Sequence, residues 1–105
     1  MVEYRLYVGL NDRETHQQII ESIEANKIIN RLLVKYVGFG TVFSGYGVYT
    51  DNVKTVIENS LIVSIIDISS CVTSGSLDKL ITELKLTLNQ DSILRQTIQT
   101  EANFQ

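Results

Sequence analysis

"VGFGTVFSGYGVYTDN", from Val37 to Asn52, sets four glycines among aromatic and β-branched residues. Where it falls in the chain decides the fold. Its Val, Phe, Tyr and Thr content reads as a strand, and "TDN" at Thr50 to Asn52 is a turn signal. The stretch is therefore the first arm of a hairpin, and the return arm runs from about Val56 through "SLIVSIIDI". In that arm Leu61, Val63 and Ile65 lie on one side, and Ile62, Ile66 and Ile68 on the other. Two apolar faces place the strand centrally, with something covering its second side.

Upstream, "VEYRLYVGL" alternates Val2, Tyr4, Leu6, Val8 and Leu10 against Glu3, Arg5 and Tyr7, the pattern of a half-buried strand. Asn11 or Asp12 then reads as the N-cap of a helix. Within the helical region Ile19, Ile20 and Ile23 share one face, whereas Ile28, Ile29, Leu32, Leu33 and Tyr36 share another. At about 100° per residue the stripe jumps near Ala25 and Asn26. The pattern predicts a break or kink there, with a second short helix ending before Gly38.

Downstream, "SSCVTSGS" is a polar loop with a serine cap, followed by the helical stripe Leu77, Leu80, Ile81, Leu84 and Leu88. Asn89 to Asp91 ends that helix. The last strand, "SILRQTIQTEANF", sets Leu94, Ile98, Ala102 and Phe104 on one parity and Arg95, Thr97, Gln99 and Glu101 on the other. The order β-α-β-β-α-β predicts an α+β, ferredoxin-like domain over residues 1–105, a four-stranded antiparallel sheet with helices on one face.

At 105 residues, 44% hydrophobic and 20% charged, the chain suits one globular core. A formal charge of −3 argues against a protein held on nucleic acid or an anionic membrane by net charge. Glu3 and Arg5 interrupt the first apolar run, so the N-terminus does not read as a leader, and no apolar stretch approaches the roughly 18 residues of a membrane span. The single Cys71 allows no internal disulfide, which fits the cytoplasm. The expected localisation is cytoplasmic.

No metal-ligand cluster accompanies His16 or Cys71, and no P-loop, G-x-S-x-G elbow or G-x-G-x-x-G is present. The pattern therefore predicts no metal, no cofactor and no catalytic residue. Asp67, inside an apolar run, reads as a strand-end acid reaching solvent. "RLYVGL" and "VGFGTVF" partly match the paired aromatic signatures of an RNA-recognition domain, with Tyr7 as one stacking ring. The second signature follows the helical region directly and so falls on the wrong strand. Thr41 replaces its other ring, and Val37 stands where the leading base belongs.

The candidate ligand face is the open side of the sheet. If the last strand lies beside the first, Arg5 and Tyr7 project with Arg95 and Gln99, two guanidinium groups around a ring that suit a phosphate or carboxylate. Ion pairing of Arg5 and Arg95 with Glu3 or Glu101 is the simpler reading. Tyr46, between Gly45 and Gly47, and Tyr49 extend the candidate set. Glycine on both sides of Tyr46 is expected to mark a bulge or strong twist. Leu61, Val63 and Ile65 are the candidate oligomer interface.

"LYVGL" (Leu6–Leu10), "GFGTVFSGYGVYTD" (Gly38–Asp51), "VIENSLIVSII" (Val56–Ile66) and "QDSILRQTIQTEANF" (Gln90–Phe104) together resemble a small bacterial domain of unknown function. The resemblance implies the ferredoxin-like fold and a single domain, and transfers no activity. The function expected is a non-enzymatic, homo-oligomeric binding protein for an anionic, nucleotide-like molecule or a host protein, of the kind phages and mobile elements use against defence systems. The alternatives are a small dimeric α+β barrel enzyme acting on an organic substrate, and an RNA binder.

Overall fold

Strict alternation from Val2 to Gly9 makes β1, with Leu6 and Val8 turned to one side and Glu3, Arg5 and Tyr7 to the other. The computed structural model describes residues Met1–Gln105 and continues with α1 (Ser22–Tyr36), β2 (Thr41–Thr50), β3 (Thr55–Asp67), α2 (Ser74–Thr87) and β4 (Leu94–Gln99). The four strands form one antiparallel sheet in the order β2-β3-β1-β4, the ferredoxin-like arrangement the element order predicts. No helix is long and apolar enough to cross a membrane.

Fourteen buried apolar residues fill the space between sheet and helices. β1 contributes Leu6 and Val8, β3 contributes Leu61, Val63 and Ile65, α1 contributes Ala25, Ile29, Leu32 and Leu33, and α2 contributes Leu77, Leu80 and Leu84. Tyr36 reaches across from α1 and donates to Glu83 Oε1 at 3.3 Å, tying the helices together. Leu61, Val63 and Ile65 are therefore not an oligomer interface: at 2% exposure or less they lie beneath the helices. Both parities of β3 are apolar, so periodicity alone does not select the covered face. The open face carries Ile62, Ser64 and Ile66 instead.

α1 is one continuous helix, not two. Its buried residues Ala25, Ile29, Leu32 and Leu33 keep a single stripe through Asn26. The apparent phase jump arises because Ile19 and Ile20 precede the helix and Ile23 points to solvent. Asp12 does not cap α1. It closes its own turn, accepting the N–H groups of Glu14 and Thr15 at 3.0 and 3.2 Å. Thr73, not a serine, caps α2, its Oγ1 accepting the Ser76 N–H at 3.1 Å.

The opening stretch pairs with β3 in unbroken register from Thr41↔Ser64 to Thr50↔Thr55. No bulge interrupts it at Gly45 or Gly47. Asp51 closes the turn by accepting the N–H groups of Val53 and Lys54, both at 2.8 Å. β1 stops pairing at Gly9↔Ser60, so the hairpin runs on as a two-stranded ribbon. The molecule is accordingly elongated, 45 × 24 × 24 Å.

Candidate functional site

Register assigns each candidate residue to a face. Tyr7 pairs with Ile62, Gly9 with Ser60, and Glu58 with Gly47, all on the open side, and Tyr49 follows Gly47 two residues along the same face. Where the ribbon leaves the sheet these residues border a cleft of about 300 Å³ that includes Tyr7, Tyr49, Glu58, Asp12, Arg13 and Gln90.

Glu58 lies against the end of β1 in this cleft. A Cβ on Gly9 would sit 2.6 Å from Glu58 Oε1, so only glycine there lets the carboxylate lie across the end of β1. In that position Oε2 accepts the Asn11 N–H at 3.0 Å. Tyr7 is oriented by donating its hydroxyl to Gln96 Oε1 at 2.7 Å.

The rim is built by the loop after β1. Asn89 Nδ2 donates to Asp12 Oδ1 at 2.7 Å, and this bond, with the Glu14 and Thr15 N–H groups, holds the Asp12 carboxyl below its usual range. Asp12, Glu58 and Asp91 face the cleft against the single guanidinium of Arg13. Its charge therefore favours a ligand with positive character. The three acids do not gather into a cluster that would hold a metal ion.

The anion clamp expected from Arg5, Tyr7, Arg95 and Gln99 does not form. β4 pairs with β1 so that Arg95 lies opposite Leu6 and Gln99 opposite Val2, on the helix side of the sheet, while Gln96 and Leu94 share the face of Tyr7. Arg95 sits over the Tyr4 ring, 5.6 Å from its centre, and reaches Asp78 of α2 at 3.3 Å. Arg5 remains on the open face but is taken by Glu3, at 2.8 Å. Glu3 also accepts the Ser64 hydroxyl at 2.6 Å. The Arg5 bond, then that of Ser64, holds the Glu3 carboxyl below its usual value. Tyr46 projects to the helix side beyond the helices, 70% exposed, away from Tyr7 and Tyr49. Ile62 stands beside Tyr7 on β3, where paired stacking of RNA bases needs a second ring.

A larger cleft, about 400 Å³, lies between α1 and the start of β2. Asn26, Asn30 and Phe39 line it, and Asn26 Oδ1 is buried without a hydrogen-bond partner. It holds no titratable side chain, so it offers no acid–base chemistry.

Among the site residues, Tyr7 and Tyr49 were legible from sequence, whereas Glu58, Gly9 and Gln90 were not. The available signals were one acid on a strand otherwise rich in Val, Ile and Leu, and the "QDSIL" run after α2.

Fold and cleft together define an α+β protein of ferredoxin-like topology, with an acidic, tyrosine-flanked cleft at the end of its open sheet face. Two solved structures of a phage SAM lyase are similar in fold. The one in complex with S-methyl-5'-thioadenosine is 24% identical, with a TM-score of 0.67 over 92% of this chain and 79% of that one. The one in the apo state is 26% identical, with a TM-score of 0.66 over 92% and 78%. The periplasmic divalent cation tolerance protein CutA from Archaeoglobus fulgidus is similar in fold, at 18% identity and a TM-score of 0.57 over 99% of this chain and 88% of that one. No family model matches the chain, and no curated protein matches it. The resemblance to a bacterial domain of unknown function thus extends only to a small fold of this type.

Proposed function

We propose that this protein binds S-adenosylmethionine in the cleft between Tyr7, Tyr49 and Glu58 and cleaves it, releasing S-methyl-5'-thioadenosine. The observation that carries the reading is the fixed Glu58 carboxylate flanked by two tyrosines, in a chain 26% identical over 92% of its length to a phage SAM lyase. The ligand's chemistry fits that cleft. Adenine offers a flat face for a tyrosine ring. A sulfonium is drawn both to aromatic faces and to a carboxylate.

The reaction asks little of the protein in acid–base chemistry. Sulfonium sulfur leaves as a neutral thioether without an added proton. The substrate's own carboxylate oxygen is placed to attack the carbon that bears sulfur, closing a five-membered lactone as the C–S bond breaks and its electron pair returns to sulfur. The sulfonium and carboxylate charges cancel, and no proton moves. The protein's task is to hold the substrate folded for that attack, a matter of orientation. The task needs no histidine–nucleophile pair, and the proposal therefore takes the enzyme reading over the non-enzymatic one.

Self-association belongs to the same proposal. Phe43 and Ile66 on the open face and Val48 and Ile57 on the ribbon are exposed apolar side chains that a second copy would cover. The phage origin of the similar lyase supports a counter-defence role, in which a nucleoside metabolite needed by the host is consumed.

Titration calorimetry with S-methyl-5'-thioadenosine tests the binding site. Wild-type protein should bind, and Tyr7→Ala and Tyr49→Ala should each weaken binding about tenfold, the worth of one lost stacking ring. No binding by the wild type, or full affinity in both variants, would overturn the assignment.

A further inference from the structure

The "QDSIL" run after α2 has a use in this cleft. Asn89 adopts a left-handed backbone, φ 51°, which turns the chain so that Asn89 and Gln90 both address the loop after β1. Asn89 accepts the Arg13 N–H at 3.0 Å and donates from its side chain to Asp12. Gln90, only 9% exposed, donates from Nε2 to the Asn11 carbonyl at 2.8 Å and to the Leu88 carbonyl at 3.2 Å. Its own backbone N–H goes to the Lys85 carbonyl at 2.9 Å. Asn11, gripped through its carbonyl, presents its N–H to Glu58 Oε2 at 3.0 Å.

We infer that Gln90 is a positioning residue for Glu58: through Asn11 it sets where the carboxylate stands, and so sets selectivity for a cationic over a neutral nucleoside. The inference rests on the proposed S-adenosylmethionine site and assigns its charge selectivity to a residue at the cleft wall that acts through Asn11 and Glu58. Both amide protons of Gln90 are used, and its side chain is buried, so the grip is not exchanged for water at low cost. An unpinned glutamate on an edge ribbon samples several rotamers, and a carboxylate displaced by about an ångström loses much of its value to a bound cation.

The test compares two probes. S-adenosylmethionine carries the sulfonium charge, and S-methyl-5'-thioadenosine does not. Gln90→Leu should lose about tenfold in affinity for the charged probe while holding the neutral one within about twofold. In a Glu58→Gln background the Gln90→Leu change should cost nothing further, because the carboxylate it positions is gone. If leucine unsettles the fold, Gln90→Met keeps the length without the amide protons, adds no charge to the cleft, and is read in the same way. Equal losses for both probes, or additive losses with Glu58→Gln, would reduce Gln90 to structural glue. Amide hydrogen exchange at Asn11 separates this inference from the function on which it rests. If wild-type protein binds neither probe, the function falls, and Gln90 still stands or falls by the exchange. Faster Asn11 exchange in Gln90→Leu supports the positioning role, and unchanged exchange overturns it.

Discussion

The Asn11 N–H donates to Glu58 Oε2 at 3.0 Å, across 47 residues of sequence. This bond joins the loop after β1 to the ribbon arm of β3 and leaves the carboxylate over the bare backbone of Gly9. Fold and site meet there, since the same contact seats the loop and aims the charge.

Gly9→Ala should separate stability from binding. The added Cβ meets only the carboxylate end of Glu58, which makes room by leaving the Asn11 N–H for water, with no backbone shift. Melting should therefore change little, by about 1 kcal/mol or less, while affinity for S-adenosylmethionine falls about tenfold. Calorimetry and a thermal melt on the same preparation check this, and unaltered affinity would count against the placement of Glu58.

Acid should destabilise the fold through three carboxylates held below their ordinary values. Glu3, ordinarily 4.5, is lowered first by Arg5 and then by Ser64. Asp12, ordinarily 3.8, is lowered first by Asn89, and Asp51, ordinarily 3.8, first by the Lys54 N–H. As pH falls the unfolded chain takes up these protons first. The stabilisation is therefore complete above the ordinary values and drains away as pH drops through about 4 and below. Melting temperature should fall as pH drops below about 5, and Glu3→Gln should flatten that slope. An identical slope in the variant would show that the Arg5–Glu3–Ser64 contact contributes nothing.

Arg95→Ala tests the assignment of faces. Arg95 stands on the helix side with Tyr4 and Asp78, and its ion pair is largely exposed, so its loss should cost at most about 1 kcal/mol. Nucleoside affinity should not change. A binding defect would place Arg95 at the site after all.

Leu80→Ala probes the core directly. Leu80 is fully buried between helix and sheet, and truncation should cost about 2–5 kcal/mol in urea unfolding. A smaller loss would mean that the helices pack loosely on the sheet.

The element order was legible because strand alternation and the α2 leucine stripe are strong local signals. Faces were harder to read. β3 is apolar on both sides, so nothing local says that Leu61 rather than Ile62 meets the helices. β4 looked as though its apolar parity, Leu94 and Ile98, pointed inward. It lies instead at the sheet edge, where the Arg95 guanidinium sits over the Tyr4 ring and Leu94 is left exposed. Glu58 is not legible in the sequence because its contacts are with Gly9 and Asn11, which are distant along the chain and meet it only through strand pairing. Ile19 and Ile20 imitated a helix face because two isoleucines in a short loop carry the same periodic signal as one helical turn.

The central claim is that this chain breaks the carbon–sulfur bond of S-adenosylmethionine. Chromatographic separation of nucleosides after incubation with S-adenosylmethionine alone tests it most directly. The account predicts time-dependent appearance of S-methyl-5'-thioadenosine with the wild type and a strongly reduced rate with Glu58→Gln. Unchanged S-adenosylmethionine over many hours with folded wild-type protein would contradict it.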